Sequence, residues 1–132
     1  MKIWTIHPKN LDDVLLVCLW RDASLGLASL SGRIGRLKNH PDLSKFRYEP
    51  NPVQVMEWYL WHVYLEGCVR GFKFSPRKIH RAANCNLMIV ASGQLLWEFD
   101  HLKLKLQNRN PKRYKLIQII DKPDPHPSFK CT

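Results

Sequence analysis

The stretch Leu11 to Asp22, LDDVLLVCLWRD, constrains the chain most. Val14 to Trp20 is apolar throughout, and a charged pair, Arg21-Asp22, follows without a break. An aspartate oxygen at Asp12 or Asp13 can accept from the free first-turn N–H groups, so a helix is expected to start there. Apolar all round rather than on one stripe, this helix should run through the middle of a domain. Arg21 and Asp22 then lie within a turn of buried surface, where a charge must be paired or must face a cavity. A structural Arg/Asp pair that ends the buried section meets that requirement on its own. The segment MKIWTIHP adds to it, because it starts only about ten residues before the helix and is too apolar to trail in solvent.

Lys2 to Ile6 alternates in polarity and reads as an extended leading segment, which His7-Pro8 ends. The first helix should cover roughly residues 12–30, with Leu25, Leu27 and Leu30 extending its apolar side and Gly26 weakening it locally. Residues 31–52, SGRIGRLKNHPDLSKFRYEPNP, form a basic loop. Gly32 and Gly35 let its backbone approach a ligand, and Arg33, Arg36 and Lys38 offer charge to phosphates. Asn51-Pro52 is a helix start, with Asn as cap and Pro at the first position. Val53, Met56, Leu60, Val63 and Gly67 give that second helix, roughly 52–70, its core face. Trp58, Tyr59, Trp61 and Tyr64 read as packing on its flanks, and Gly71 closes it with a left-handed cap. Lys73, Arg77, Lys78 and Arg81 make a second basic loop, and residues 82–91 read as an irregular buried connector.

Ser92 is expected to cap a third helix, GQLLWEFDHLKLKLQNR, with Leu95, Phe99, Leu102 and Leu106 as its stripe and Asn110-Pro111 as its stop. The proline-bearing tail 111–132 should wrap the surface, anchored by Phe129. The expected fold is all-α: one compact three-helix domain over residues 1–132, with long basic loops.

The net charge of +10 favours a polyanionic partner, nucleic acid before membrane. No apolar run reaches the roughly 20 residues of a membrane span, and the first 20 residues lack a signal-peptide layout. Cys18, Cys68, Cys85 and Cys131 are scattered with no CxxC, which suits a reduced cytoplasmic protein without structural zinc. Glu98 and His101 stand three apart beside the third stripe. A single Glu-x-x-His is half of a di-metal site and no second copy exists, so a hydrogen-bonded pair lining a pocket is expected and a metal is not.

MKIWTIHPKNLD, LWRD, GRIGRLKNHPDLSKF, VYLEGCVRGFKFSPRKI, SGQLLWEFDHLKLKLQNRNPKRY and PDPHPSF, in that order, resemble the pyrimidine-dimer DNA glycosylase family, the endonuclease V type of fold. The likeness covers nearly the whole chain and is greater to small cellular members than to the phage member. It implies an all-helical DNA repair enzyme that cuts the N-glycosidic bond of the 5′ base of a pyrimidine dimer. The strand is then nicked by an abasic-site lyase step. Its nucleophile is the α-amine of the first residue, assisted by an acid that follows an arginine. Carried over, the amine is that of Met1, the arginine is Arg21 and the acid is Asp22. Lys2 is long, and methionine aminopeptidase needs a small second residue, so Met1 should be retained. An α-amine suits this chemistry because its ordinary pKa of about 7.7–8.0 leaves a sizeable neutral fraction at pH 7.

Asp22 stands where the family has a glutamate, which draws the carboxylate back by one methylene, roughly 1.5 Å. Either the backbone adjusts, or Glu98 or Glu66 takes the acid's part, or the glycosylase step is impaired. The phage member's aromatic, basic C-terminal segment is absent, and this bears on dimer specificity. The lyase half of the activity depends least on these departures. His7, His40, Glu66, Glu98 and His101 are the remaining pocket candidates, and Lys2, Arg33, Arg36, Lys38, Arg77 and Lys78 the DNA contacts. The expected partner is damaged or abasic double-stranded DNA, met by a monomer with no membrane association and no cofactor. The alternative is a non-catalytic basic nucleic-acid-binding domain that keeps the fold.

Overall fold

Three 18-residue helices carry the fold, α1 (Asp13–Leu30), α3 (Pro52–Val69) and α4 (Ser92–Arg109), with a shorter helix α2 (Pro41–Arg47) between the first two. A second short helix, α5 (Pro111–Ile117), follows α4. The computed structural model describes residues 1–37, 39–79 and 87–132. The three long helices fall where their periodicity and punctuation predict. The expectation of a three-helix, all-α chain is corrected in two respects. The basic loop 31–52 and the tail each contain a seven-residue helix. Strand β1 (Met88–Val90) also pairs in parallel with β2 (Phe129–Cys131), Met88 opposite Phe129. The last part of the expected connector is therefore a strand, while its residues 82–86 lie outside the described residues.

Helix α1 starts as expected: Asp12 Oδ1 accepts the Leu15 N–H at 2.8 Å. It is not apolar all round in its packing. Leu15, Leu16, Leu19, Ala23 and Leu27 are buried, but Val14 and Val17 are 55% and 47% exposed. The physical reason is the 3.6-residue repeat: α1 packs on α3 along one face, and the apolar residues a half-turn away reach solvent. Gly26 lies on the packed face because the helix must come close there. A Cβ would stand 2.8 Å from Leu43 Cδ2 and 3.2 Å from Met56 Cε.

On α3, Met56, Leu60, Val63 and Gly67 are buried as predicted, and Tyr59 is wholly inside the core. Gly71 ends the helix at φ +81°, a left-handed conformation that costs glycine least. Gly67 is bare so that Phe74 can fold back over it, since a Cβ would meet the Phe74 ring at 2.5 Å. Phe74 in turn stacks on Trp20 of α1 at 4.7 Å, which ties the segment after α3 to the first helix. On α4, Leu95, Phe99, Leu102 and Leu106 are all buried. Ala91 is its N-cap and Ser92 its first helical residue, one position from the expected start. Asn110 ends α4 and caps α5, its side chain accepting the Arg113 N–H.

The leading segment is part of the core: Ile3, Trp4 and Ile6 are buried together with the stripes of α1, α3 and α4. The tail crosses it. His126 N–H donates to the Thr5 carbonyl at 2.7 Å, His7 N–H donates to the Asp124 carbonyl at 2.9 Å, and Ile6 forms an antiparallel bridge with Pro125. Phe129 is buried, as its anchoring part requires. No helix among the described residues is long and apolar enough to cross a membrane.

Candidate active site

Besides the tail's backbone bonds, the N–H groups of the first residues are taken by side chains. Lys2 N–H donates to Asp22 Oδ2 of α1 at 3.1 Å, Ile3 N–H to Asp42 Oδ2 of α2 at 2.8 Å, and Thr5 N–H to Glu98 Oε1 of α4 at 3.1 Å. Thr5 Oγ1 donates to the second Glu98 oxygen, and Tyr59 Oη of α3 donates to the Trp4 carbonyl at 2.5 Å. Side chains of α1, α2, α3 and α4 therefore all hold the same short segment. Further along, the Arg70 guanidinium donates to the carbonyls of Pro8, Lys9 and Leu11, and fixes the bend that leads into α1. Arg70 is itself held by Glu66 at 2.9 Å and Asp13 at 3.1 Å.

Met1, half-buried, packs against the core beside this first contact. Asp22 is 15% exposed, and its other oxygen faces Arg21 Nε at 3.7 Å; Arg21 itself is 68% exposed. Lys2 turns back over the Trp4 ring and toward Glu98, with Nζ 3.6 Å from Oε1. Glu98, 2% exposed, also receives the Gln94 amide at 3.4 Å. Burial lowers the pKa of the nearby Lys45 ammonium, against the opposing pull of Glu98 and Asp42.

Arg21 and Arg77 stand on the wall of a cavity of about 680 Å³ between α1, α3 and the turn at Pro76–Lys78. Trp20, Leu60, Ser24 and Ser75 line it too, and Ile34 brings the loop after α1 to its rim. Both basic loops thus reach one opening next to Arg21. Arg33, Arg36 and Arg77 are exposed. Lys38 lies outside the described residues, as does the side chain of Lys78.

The five pocket candidates do not form one group. His40 caps α2, its Nδ1 accepting the Asp42 N–H at 3.1 Å, so it supports the carboxylate that holds Ile3. His7 Nδ1 accepts the Lys9 N–H in the bend, and burial, then Lys9, lowers its pKa. Glu66 serves Arg70 at that bend. Glu98 faces Thr5, whereas His101 is exposed, with Nδ1 on the Trp97 carbonyl at 2.9 Å. Among the described residues no cluster of three or more His, Cys, Asp or Glu is disposed to hold a metal ion.

Sequence reasoning passed over Asp42, Thr5, Tyr59 and Arg70. Asp42 had a signal, because His40-Pro41-Asp42 is a helix start inside what reads as a loop. Arg70 stands just before the glycine that ends α3, where a cation suits the helix carboxyl end.

Fold and site together define a class: basic, mostly helical domains whose first residues are packed into the core and bonded to side chains of four helices. The sequence model of the pyrimidine dimer DNA glycosylase family matches residues 1–80, and the chain belongs to that family. Membership implies a DNA repair glycosylase with DNA as its substrate. No curated protein and no solved structure matches the chain.

Proposed function

We propose that the protein is an imine-forming DNA glycosylase and abasic-site lyase, with the Met1 α-amine as nucleophile and Asp22 as its carboxylate partner. The observation that carries this reading is the 3.1 Å bond from Lys2 N–H to Asp22 Oδ2, which leaves the carboxylate one peptide from the amine. The aspartate is shorter than the family's glutamate, yet the leading segment comes to it.

In the first step the neutral amine attacks C1′, the N-glycosidic bond breaks, and the base leaves with the bonding pair and takes up a proton. The amine nitrogen loses a proton, the sugar opens with O4′ protonated, and a cationic imine links Met1 to C1′. Asp22 stabilises that cation and helps move the C2′ proton. The C2′–H electrons form a double bond, the C3′–O bond breaks and the 3′ phosphate departs. Water then releases the amine. Lys2, Arg33, Arg36, Lys38, Arg77 and Lys78 are the contacts to the DNA backbone, and Arg21 neutralises charge at the opening. A pyrimidine dimer is the lesion that family membership favours, and we take its 5′ base as the one released.

The test is borohydride trapping on abasic-site DNA. The native protein should give a covalent adduct, while acetylating the amine or adding one residue before Met1 should abolish it and leave DNA binding intact. Asp22→Asn should still trap but cut the strand more slowly, because imine formation and elimination are separate steps. A blocked amine that traps like the native one would make an internal lysine the nucleophile. A native protein that binds abasic DNA and never traps would be a non-catalytic binding domain.

A further inference from the structure

We infer that Asp42 and Glu98 are positioning residues, which with Asp22 form a carboxylate collar that sets the register of the reactive amine. This rests on Met1 being the nucleophile. Lys2, Ile3 and Thr5 each give their backbone N–H to a carboxylate, and each carboxylate comes from a different helix. In an extended segment successive N–H groups point to opposite edges. Asp22 therefore holds one edge at Lys2 and Asp42 the other at Ile3, and Glu98 takes the Thr5 N–H where the chain bends. Slippage by one residue would take every N–H away from its acceptor.

Apolar burial of Ile3, Trp4 and Ile6 would keep the segment in the core without any of this. Burying carboxylates is costly unless they are bonded, so an apolar core alone would not call for them. What they add is direction, because a bond to an ionised acceptor is shorter and roughly twice as strong as a neutral one. Each is in turn held in place. The Asp42 N–H is bonded to His40 Nδ1 at 3.1 Å, and Glu98 is closed in by Thr5 Oγ1, Gln94 and the Lys2 ammonium. Asp42 lies within the region the family model matches, whereas Glu98 lies beyond it, so the later part of this chain contributes to the site.

An amide can accept the same N–H as a carboxylate, whereas alanine cannot. Asp42→Ala and Glu98→Ala should slow single-turnover trapping of abasic DNA about a hundredfold, the cost of a misplacement of about 1 Å. The DNA concentration for half-maximal rate should stay within about twofold of native. Asp42→Asn and Glu98→Gln should restore most of the rate. Amide hydrogen exchange over residues 1–6 should rise in the alanine variants and stay low in the amide variants, which reads the collar without any chemistry. If Glu98→Ala fails to fold, Thr5→Val serves in its place: it removes the Oγ1 bond and should give a smaller slowing with the same unchanged half-saturation.

Alanine variants that trap at the native rate would overturn the collar. So would amide variants as slow as alanine ones, since the carboxylates would then be moving protons. A shift in half-saturation equal to the loss in rate would make them DNA contacts instead. A native protein that does not trap at all, or a blocked amine that traps like the native one, would remove the underlying reading instead.

Discussion

Burial keeps the pKa of His126 well below the ordinary histidine value, and its neighbours decide which nitrogen carries the proton. Nδ1 accepts the Ser128 N–H at 2.9 Å and Nε2 faces the Tyr59 carbonyl at 3.0 Å, so the neutral ring is protonated at Nε2. Protonating Nδ1 would break the first bond and leave a charge in a site closed to water. The unfolded chain therefore binds a proton near pH 6.5 that the folded chain refuses. Stability should be full above about pH 6.5 and fall as pH drops below it, and His7 and His62, also lowered by burial, add in the same direction. Urea midpoints at pH 7.5 and 5.5 should show the fall, and His126→Gln should lessen it; an equal fall in that variant would assign the effect to other groups. At this scale Arg21-Asp22 was legible because a charged pair at the end of an apolar run demands a partner. The partners of Asp42, Tyr59 and Arg70 were not, because each acts on the backbone of a segment 39 to 62 positions away. A bond to a main-chain group leaves no mark in the residues it serves.

Among the elements, α1 packs on α3 and α4 adds its stripe to the same core, in which Leu60 and Leu102 are 1% and 0% exposed. Replacing either by Ala should cost about 2–5 kcal/mol by urea denaturation, from lost burial and the cavity left behind. Leu60 also lines the opening beside Arg21, so its truncation should relax more readily and lie toward the lower end. Losses well under about 1 kcal/mol at both sites would mean that these faces do not bear the core. The long helices were legible because 18 residues repeat the apolar spacing several times. Seven-residue helices repeat it barely twice, so α2 and α5 were lost in their loops. The three-residue strands had no pattern of their own, since a parallel pair depends on a partner about 40 positions away. For α1 the composition misled: seven consecutive apolar or cysteine residues suggested burial all round, where only the side facing α3 is covered.

At the scale of the molecule, the charge of +10 and the two arginines, Arg21 and Arg77, that line the opening suit a polyanionic partner. Affinity for duplex DNA should then fall steeply with salt, with a log–log slope of about −0.9 for each phosphate neutralised. Arg33→Ala with Arg36→Ala should make that slope shallower by about 1.8 if each residue meets one phosphate. An unchanged slope would turn the loop after α1 away from the DNA. The tail's crossing over the leading segment has a consequence for how the protein is made. Residues 2–5 are held by Glu98 and by a tail that includes His126, so the last holders are translated some 120 residues after the segment they hold. At roughly 5–20 residues per second the nascent N-terminus waits on the order of ten seconds for them. On the proposed mechanism, a chain stalled before residues 98 to 126 are made would display its amine without a means to aim it.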